Sequence, residues 1–272
     1  MSSLSTSPTP TDLSITPRDL RFGRAVAQRR WWLGGDPVAT AFHTALSVTF
    51  PRGEAMFIDS VKAFRDGAPP KLAEDIRAFV KQEVMHTREH VAFNRKAEQA
   101  GYDLTELMDD VNQIMDETMD RPAMVNLLAT IALEHYTAIM AADMLSHPAH
   151  FAGADKEWAD MWRWHAIEEI EHKGVAYDTF LHATKHWSRW RRWKAKSMVM
   201  LLVTQRFWPR RIKGMRALLK QDDITGWQAT RRIWWYLLGK PGILRRMTPA
   251  WAAYFLPGFH PWNHDDRALI NS

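Results

Sequence analysis

Two stretches decide the fold, Glu83-Val84-Met85-His86-Thr87-Arg88-Glu89-His90 and Trp164-His165-Ala166-Ile167-Glu168-Glu169-Ile170-Glu171-His172. Each contains a Glu-x-x-His pair, Glu83/His86 and Glu169/His172. Each pair falls midway along a long helical pattern. On a helix, positions i and i+3 share a face, so each pair can present one carboxylate and one imidazole to the same point. The composition, 12 His in 272 residues, gives roughly 0.5 such pairs by chance, so the two gain weight from their setting in a bundle. With His165 at 0° on the helix circle, Glu169 lies near about 40° and His172 near about −20° at roughly 100° per residue. Glu168, near about −60°, is a possible competitor, and Glu171, near about −120°, faces elsewhere. His90 follows Glu83 by seven residues and shares its face, as a ligand or as a support to one.

Working outward, two more long helical segments each carry a glutamate in an apolar setting. These are Glu54 in Gly53-Glu54-Ala55-Met56-Phe57-Ile58 and Glu134 in Ile131-Ala132-Leu133-Glu134. The chain order becomes Glu, Glu-x-x-His, Glu, Glu-x-x-His, one element per helix. Four carboxylates balance two divalent ions, so such a centre can be buried without a large net charge. Carboxylate and imidazole donors suit iron or manganese, and zinc less specifically.

The turn signals set the frame. Asp36-Pro37 opens a first helix, with a break expected at Pro51-Arg52-Gly53 and resumption from Glu54 to about Asp66. Pro69-Pro70 open a second over Lys71 to Ala100, capped by Gly101. A short helix follows from Leu104 to Glu117, then a third long one from Pro122 to Ser146 and a fourth from Asp155 to Thr184. The expected architecture is all-α, a four-helix bundle over 19–184 with a leader before it and an extension over 185–272, in which short helices are expected over Met215 to Lys220, Trp227 to Leu238 and Pro249 to Phe255. Asp143 and Tyr136 are read as structural, and Met56, Met85, Met124 and Met140 as filling around the site.

Charge divides the chain. Residues 185–272 hold 18 Lys/Arg against four acids, a net +14, whereas residues 1–184 carry −9. Nine of the 14 tryptophans also lie after residue 184, which makes the extension basic and Trp-rich. The absence of cysteine excludes disulfide scaffolds, thiolate zinc or iron–sulfur sites and a cysteine nucleophile. Unbroken apolar runs such as Met198–Val203 are too short to span a bilayer, so no transmembrane helix is expected. Residues 1–18 read as a disordered Ser/Thr/Pro-rich leader and not as a signal peptide, which makes the cytoplasm the default compartment.

The extension reads first as a helix on an anionic membrane surface, peripheral to the inner face. Trp187, Trp190, Trp193, Met198, Leu201, Leu202 and Trp208 would enter the lipid boundary while arginines meet head groups. Packing onto the acidic bundle is the competing reading. Nucleic acid is disfavoured for want of a recognisable binding fold.

The segments Phe50–Glu54, Glu83–His90, Leu133–Tyr136 and Trp164–His172 resemble the ferritin-like di-iron superfamily, and within it the family of predicted metal-dependent hydrolases. The resemblance covers about residues 36–184, and the Trp-rich tail shares the family's character. The spacing His165-x-x-x-Glu169-x-x-His172 is also similar to that of di-iron arylamine N-oxygenases. The resemblance implies a ferritin-like bundle whose ligands are Glu54, Glu83, His86, Glu134, His165, Glu169 and His172, with Glu83 and Glu169 bridging and Glu54 and Glu134 terminal. Two iron ions are the expected cofactor, with manganese or zinc as alternatives. The leading expectation is an oxygen-activating di-iron oxidoreductase acting on a hydrophobic small molecule. It would use dioxygen and a separate electron donor. Metal-dependent hydrolysis by an activated water is the alternative, and a non-enzymatic metal- or membrane-binding bundle the third reading. A homodimer is plausible on the bundle architecture.

Overall fold

The protein begins its ordered helices at Asp36, whose Oδ1 accepts from the backbone N–H of Val38 (2.7 Å) and Ala39 (3.3 Å). Pro37 occupies the first turn, where its missing N–H costs nothing. The computed structural model describes residues 9, 10, 12–25 and 27–271, and among them no strand occurs. The helices are α1 (Pro37–Ser47), α2 (Phe50–Lys62), α3 (Pro70–Gln99), α4 (Thr105–Met119), α5 (Ala123–Ser146), α6 (Lys156–His172), α7 (Val175–Ala183), α8 (Arg189–Lys220), α9 (Gly226–Trp234) and α10 (Ile243–Ala253). The all-α expectation holds.

Several boundaries differ from the sequence reading for identifiable reasons. The first break falls at Val48-Thr49, not at Pro51-Arg52-Gly53. Pro51 cannot donate to the Ser47 carbonyl, so the α1 ladder stops there and the proline serves as an opener of α2. The fourth long segment splits at Lys173-Gly174 into α6 and α7. A Cβ at Gly174 would lie 2.5 Å from Thr9 Oγ1 and 2.8 Å from Trp262 Nε1, so this point needs the smallest residue. Helix α3 ends as expected: Gly101 has φ +95°, and the N–H groups of Gly101 and Tyr102 return to the carbonyls of Glu98 and Ala97.

The long helices pack in neighbouring pairs, α2 on α3, α5 on α6, α2 on α5 and α3 on α6. Helix α5 is also long and apolar enough to cross a membrane by composition, with a mean hydropathy of 1.3. The helix is the inner helix of the protein, most of it buried against α2, α6, α8 and α10.

The extension was divided from the bundle at residue 184, but one hydrophobic core runs through both. Helix α8 is continuous for 32 residues through Pro209, where separate short helices beginning at Met215 were expected. One lost hydrogen bond at Pro209 is outweighed by burial of Met215, Leu218 and Leu219. Helix α8 approaches α1 closely enough that a Cβ at Gly214 would meet the Ala45 Cβ at 3.1 Å. Helix α10 starts at Ile243 and encloses Pro249, whereas Pro249 was expected to open it. The helix expected over Trp227 to Leu238 ends at Trp234 and passes into one wider turn, Trp235–Gly239. Arg246 pairs with Asp143 of α5 (2.6 Å) and the Tyr136 hydroxyl of α5 bonds Thr204 of α8 (2.8 Å), tying the extension down, while Trp193 Nε1 donates to the Phe255 carbonyl (2.7 Å) within it.

The leader also departs from expectation where it is described. Met1–Pro8 and Thr11 lie outside the described residues. Residues 12–18 run extended over the bundle, with Ile15 buried. The Arg18 N–H donates to Glu168 (2.9 Å), the Thr16 N–H to Glu171 (3.3 Å), and Lys71 Nζ to the Leu13 carbonyl (2.9 Å). Buried carboxylates require donors, and this segment's backbone supplies them.

A chain ended at residue 184 would expose the buried faces of α1 and α5. It is expected to lose the single cooperative melting transition of the full chain in scanning calorimetry. A truncated protein with an undiminished sharp transition would show the extension to be an independent unit.

Candidate metal centre

Four helices deliver the expected side chains to one place: Glu54 from α2, Glu83 and His86 from α3, Glu134 from α5, and His165, Glu169 and His172 from α6. None of the seven is more than 3% exposed. Donor atoms of Glu83, Glu169 and His172 lie within 4.8 Å of one another, as do those of His86, His165 and Glu169, and those of Glu54, Glu83 and His86.

The outer hydrogen bonds determine how the imidazoles face. Gln82 Nε2 donates to Glu171 (2.9 Å), so its Oε1 accepts from His172 Nδ1 (2.9 Å). That leaves the His172 Nε2 lone pair 3.2 Å from Glu83 Oε1, 3.5 Å from Glu169 Oε2 and 3.6 Å from Glu134 Oε2. His86 Nε2 donates to Glu168 Oε2 (3.1 Å), leaving Nδ1 at 3.6 Å from Glu169 Oε1. A third chain begins at Asn94, whose Nδ2 bonds the Ser47 carbonyl (3.4 Å) and whose Oδ1 takes the Ser47 Oγ proton (2.7 Å). Ser47 Oγ therefore accepts from His90 Nδ1 (2.8 Å), and His90 Nε2 accepts from His165 Nδ1 (2.6 Å). The His165 Nε2 lone pair is then directed at Glu169 Oε1, 2.8 Å away. Three imidazole lone pairs thus face carboxylate oxygens with no proton between them, an arrangement that only an added cation or proton stabilises.

The unpartnered atoms make the same point. Glu54 Oε1, both oxygens of Glu83 and of Glu134, Glu169 Oε2, His86 Nδ1 and His172 Nε2 are buried without a hydrogen-bond partner. Isolated orphans of this kind are rare in proteins, and here they converge on one point. Burial, with Glu169 and neighbouring carboxylates adding repulsion, pushes Glu54, Glu83 and Glu134 well above the usual carboxylate range. Burial and then His165 push His86 well below the usual imidazole range. Burial also raises Glu169, but the adjacent His172 and His165 outweigh it and hold the group well below its ordinary value. The donor set, hard oxygens and neutral imidazoles, fits divalent first-row metals.

Other acids near the site are already engaged. Glu168 is occupied by His86, Arg18 and Trp164 Nε1 (3.1 Å). Glu171 faces Arg18 and Gln82. A second group with ligand-like spacing, Asp143, His147 and His150, lies outside the centre, and its carboxylate is bound by Arg246. Asp143 and Tyr136 act structurally: Asp143 anchors α10, and the Tyr136 hydroxyl bonds Thr204 Oγ1 (2.8 Å) on α8. Met56 and Met140 are buried as expected, whereas Met85 and Met124 are only half-buried. The sequence does not mark Gln82, Ser47, Asn94 or Arg18, because their partners lie on other elements, whereas Trp164 stands four residues before its partner Glu168 on α6, a spacing that could have singled it out.

A cluster of helix-borne carboxylates and imidazoles with this many unpartnered donors defines a metal-binding helical protein. The chain belongs to the family described as predicted metal-dependent hydrolase, whose profile matches residues 16–265. The match runs through the extension, in accord with the shared core. No curated protein and no solved structure matches the chain.

Replacing Glu83 by Gln removes a charge that the metal-free interior opposes. Metal-free Glu83→Gln is expected to melt at least about 2–4 °C higher than the metal-free parent, the shift that 1 kcal/mol produces in a protein of this size. Thermal denaturation after chelation and dialysis measures it. A lower midpoint would mean that the carboxylate is compensated by something other than a metal.

Proposed function

We propose that the chain is a metal-dependent hydrolase with a ferritin-like four-helix frame holding two divalent metal ions. The observation that carries this reading is the convergence of eight buried, unpartnered oxygen and nitrogen atoms on six residues. The family membership supports hydrolysis over the oxygenase expectation. Glu54, Glu83, Glu134 and Glu169 would neutralise the ions, and His86, His165 and His172 would complete the ligand set. When bound, such ions activate water at neutral pH and polarise a carbonyl or phosphoryl oxygen. Gln82 and Glu168 hold His172 and His86 in the tautomers that ligation needs, and the Asn94–Ser47–His90 chain does the same for His165. The apolar surroundings favour a hydrophobic small-molecule substrate.

One observation favours oxygen activation by two iron ions with a separate electron donor. The centre is almost fully excluded from solvent and walled by Phe50, Phe79, Trp162 and Trp164. Dioxygen crosses apolar packing readily, whereas a hydrolytic water must be admitted.

Metal analysis and turnover separate the two. Two equivalents of metal with esterase or amidase turnover in the absence of oxygen are expected for the hydrolase. Two irons with oxygen-dependent oxidation and no hydrolysis would replace it with the oxidoreductase. Glu169→Ala should lose half or more of the bound metal, and unchanged stoichiometry would refute the assigned ligands.

The extension's outer face supports a place on an anionic membrane surface. Trp190, Met198, Leu201 and Leu202 are exposed on α8 beside unpaired arginines, whereas Trp187, Trp193 and Trp208 pack inward against the protein. Flotation with anionic vesicles should fall at least about fivefold in Trp190→Ser/Leu201→Ser/Leu202→Ser, since each lost side chain removes on the order of 1 kcal/mol. Equal flotation would reject this surface.

A further inference from the structure

Beside the metal centre, α2, α4, α5 and α8 enclose a cavity of about 500 Å³. That volume falls within the range of pockets that bury a small organic ligand. Its lining is mostly apolar, with Met56 and Phe57 from α2, Val111 and Met115 from α4, and Leu133 and Met140 from α5. Gly53 and Leu133, which also line it, are the chain neighbours of Glu54 and Glu134, so one wall backs onto the metal centre.

The fourth wall is different. Arg211 lines the cavity and is 95% withdrawn from solvent, at 5% exposure. Its Nη1 donates to the Ala45 carbonyl, and its Nε has no partner. No carboxylate pairs with it, and burial alone draws it down to about 10. Glu106 and Asp110 share the lining of an adjoining small cavity with Arg211, and both are engaged by Lys213, at 3.5 and 2.6 Å. Arg206 and Arg210, one turn apart on the same helix, also line the cavity and are exposed. Neither has an ion-pair or side-chain hydrogen-bond partner among the described residues. A buried cation with no counter-charge is costly, and proteins rarely retain one without a use.

We propose that this cavity binds a single-chain amphiphile with an anionic head group. The chain lies among Met56, Met115 and Met140, and the head pairs with Arg211, with Arg206 and Arg210 beside it. Methionine-rich walls adapt to a flexible chain, and a guanidinium matches a carboxylate or phosphate oxygen pair. An uncharged apolar ligand would leave Arg211 unpaired, and a small inorganic anion would leave the apolar walls unfilled. That such a molecule is the substrate rests on the metal-dependent reading above. The binding site itself does not.

The test is calorimetric titration of the metal-loaded full chain with decanoate, decanol and decyltrimethylammonium, with metal content measured on the same samples. Decanoate should bind at one equivalent, decanol at least about tenfold more weakly, the factor expected for a lost charged hydrogen bond. The cationic chain should show no saturable binding. Arg211→Gln keeps a donor for Ala45 and removes the charge. It should weaken decanoate about tenfold or more and leave decanol unchanged. The Arg206→Gln/Arg210→Gln protein changes only exposed residues and should fold normally while losing several-fold in decanoate affinity. Ala129→Phe, which projects into the cavity, should lose both ligands. Equal binding of decanoate and decanol, or decanoate binding indifferent to all three variants, overturns the inference. No decanoate binding by the unsubstituted chain while it holds its metal counts against this cavity alone. Metal absent while decanoate still binds counts against the dinuclear reading alone.

Discussion

The structure depends on a cluster of carboxylates that water does not reach. Glu54, Glu83, Glu134 and Glu169 lie in the interior with oxygens left unpartnered, and the protein around them is arranged to leave those oxygens free. A second ring of acids, Glu89, Glu168 and Glu171, is equally buried but fully used: Arg24 and the Phe22 N–H take Glu89, while Arg18, Trp164, His86 and Gln82 take the others. The two rings differ in partners and not in burial. The outer one is a set of clamps on imidazoles and loops, and the inner one retains a charge deficit that a cation fills.

The inner ring was legible in the sequence because it obeys a helical period. Glu83/His86 and Glu169/His172 share faces by spacing alone, and Glu54 and Glu134 stand out as acids in apolar runs. The clamps were not legible. Gln82 meets His172 across 90 positions, and only the packing of α3 against α6 joins them. His90 was ambiguous because position on a face does not reveal a tautomer, and the Asn94–Ser47 link is needed to orient it. Helix boundaries failed where proline had two possible meanings. Pro51 opens a helix, and Pro209 sits inside one because the residues after it find a buried face.

The basic extension shows how a charge count can mislead. Arg210 and Arg211 are neighbours of the same type, yet one is exposed and the other is buried in the cavity wall. Lys196 is buried beneath the rings of Tyr254 and Phe259, where burial draws it down to about 7. Arg192 caps the Thr184 carbonyl (2.8 and 3.0 Å), and Arg246 anchors α10. Part of the net +14 is therefore structural, while Arg206 and Arg210 of α8 and Arg231 of α9 are among the residues left exposed to external partners.

The segment over residues 12–18 bears on the order of assembly. Arg18 contacts Glu168 and Glu171, about 150 positions later in the chain. Those two carboxylates hold His86 directly and His172 through Gln82. Lys71 and Gln82 of α3 already reach the carbonyls of Leu13 and Thr16, but Arg18 lacks its carboxylate partners until α6 is in place. The imidazoles acquire their final orientation only when the two ends of that long loop meet. The clamp on both imidazoles therefore closes only when residues 16–18 and α6 come together.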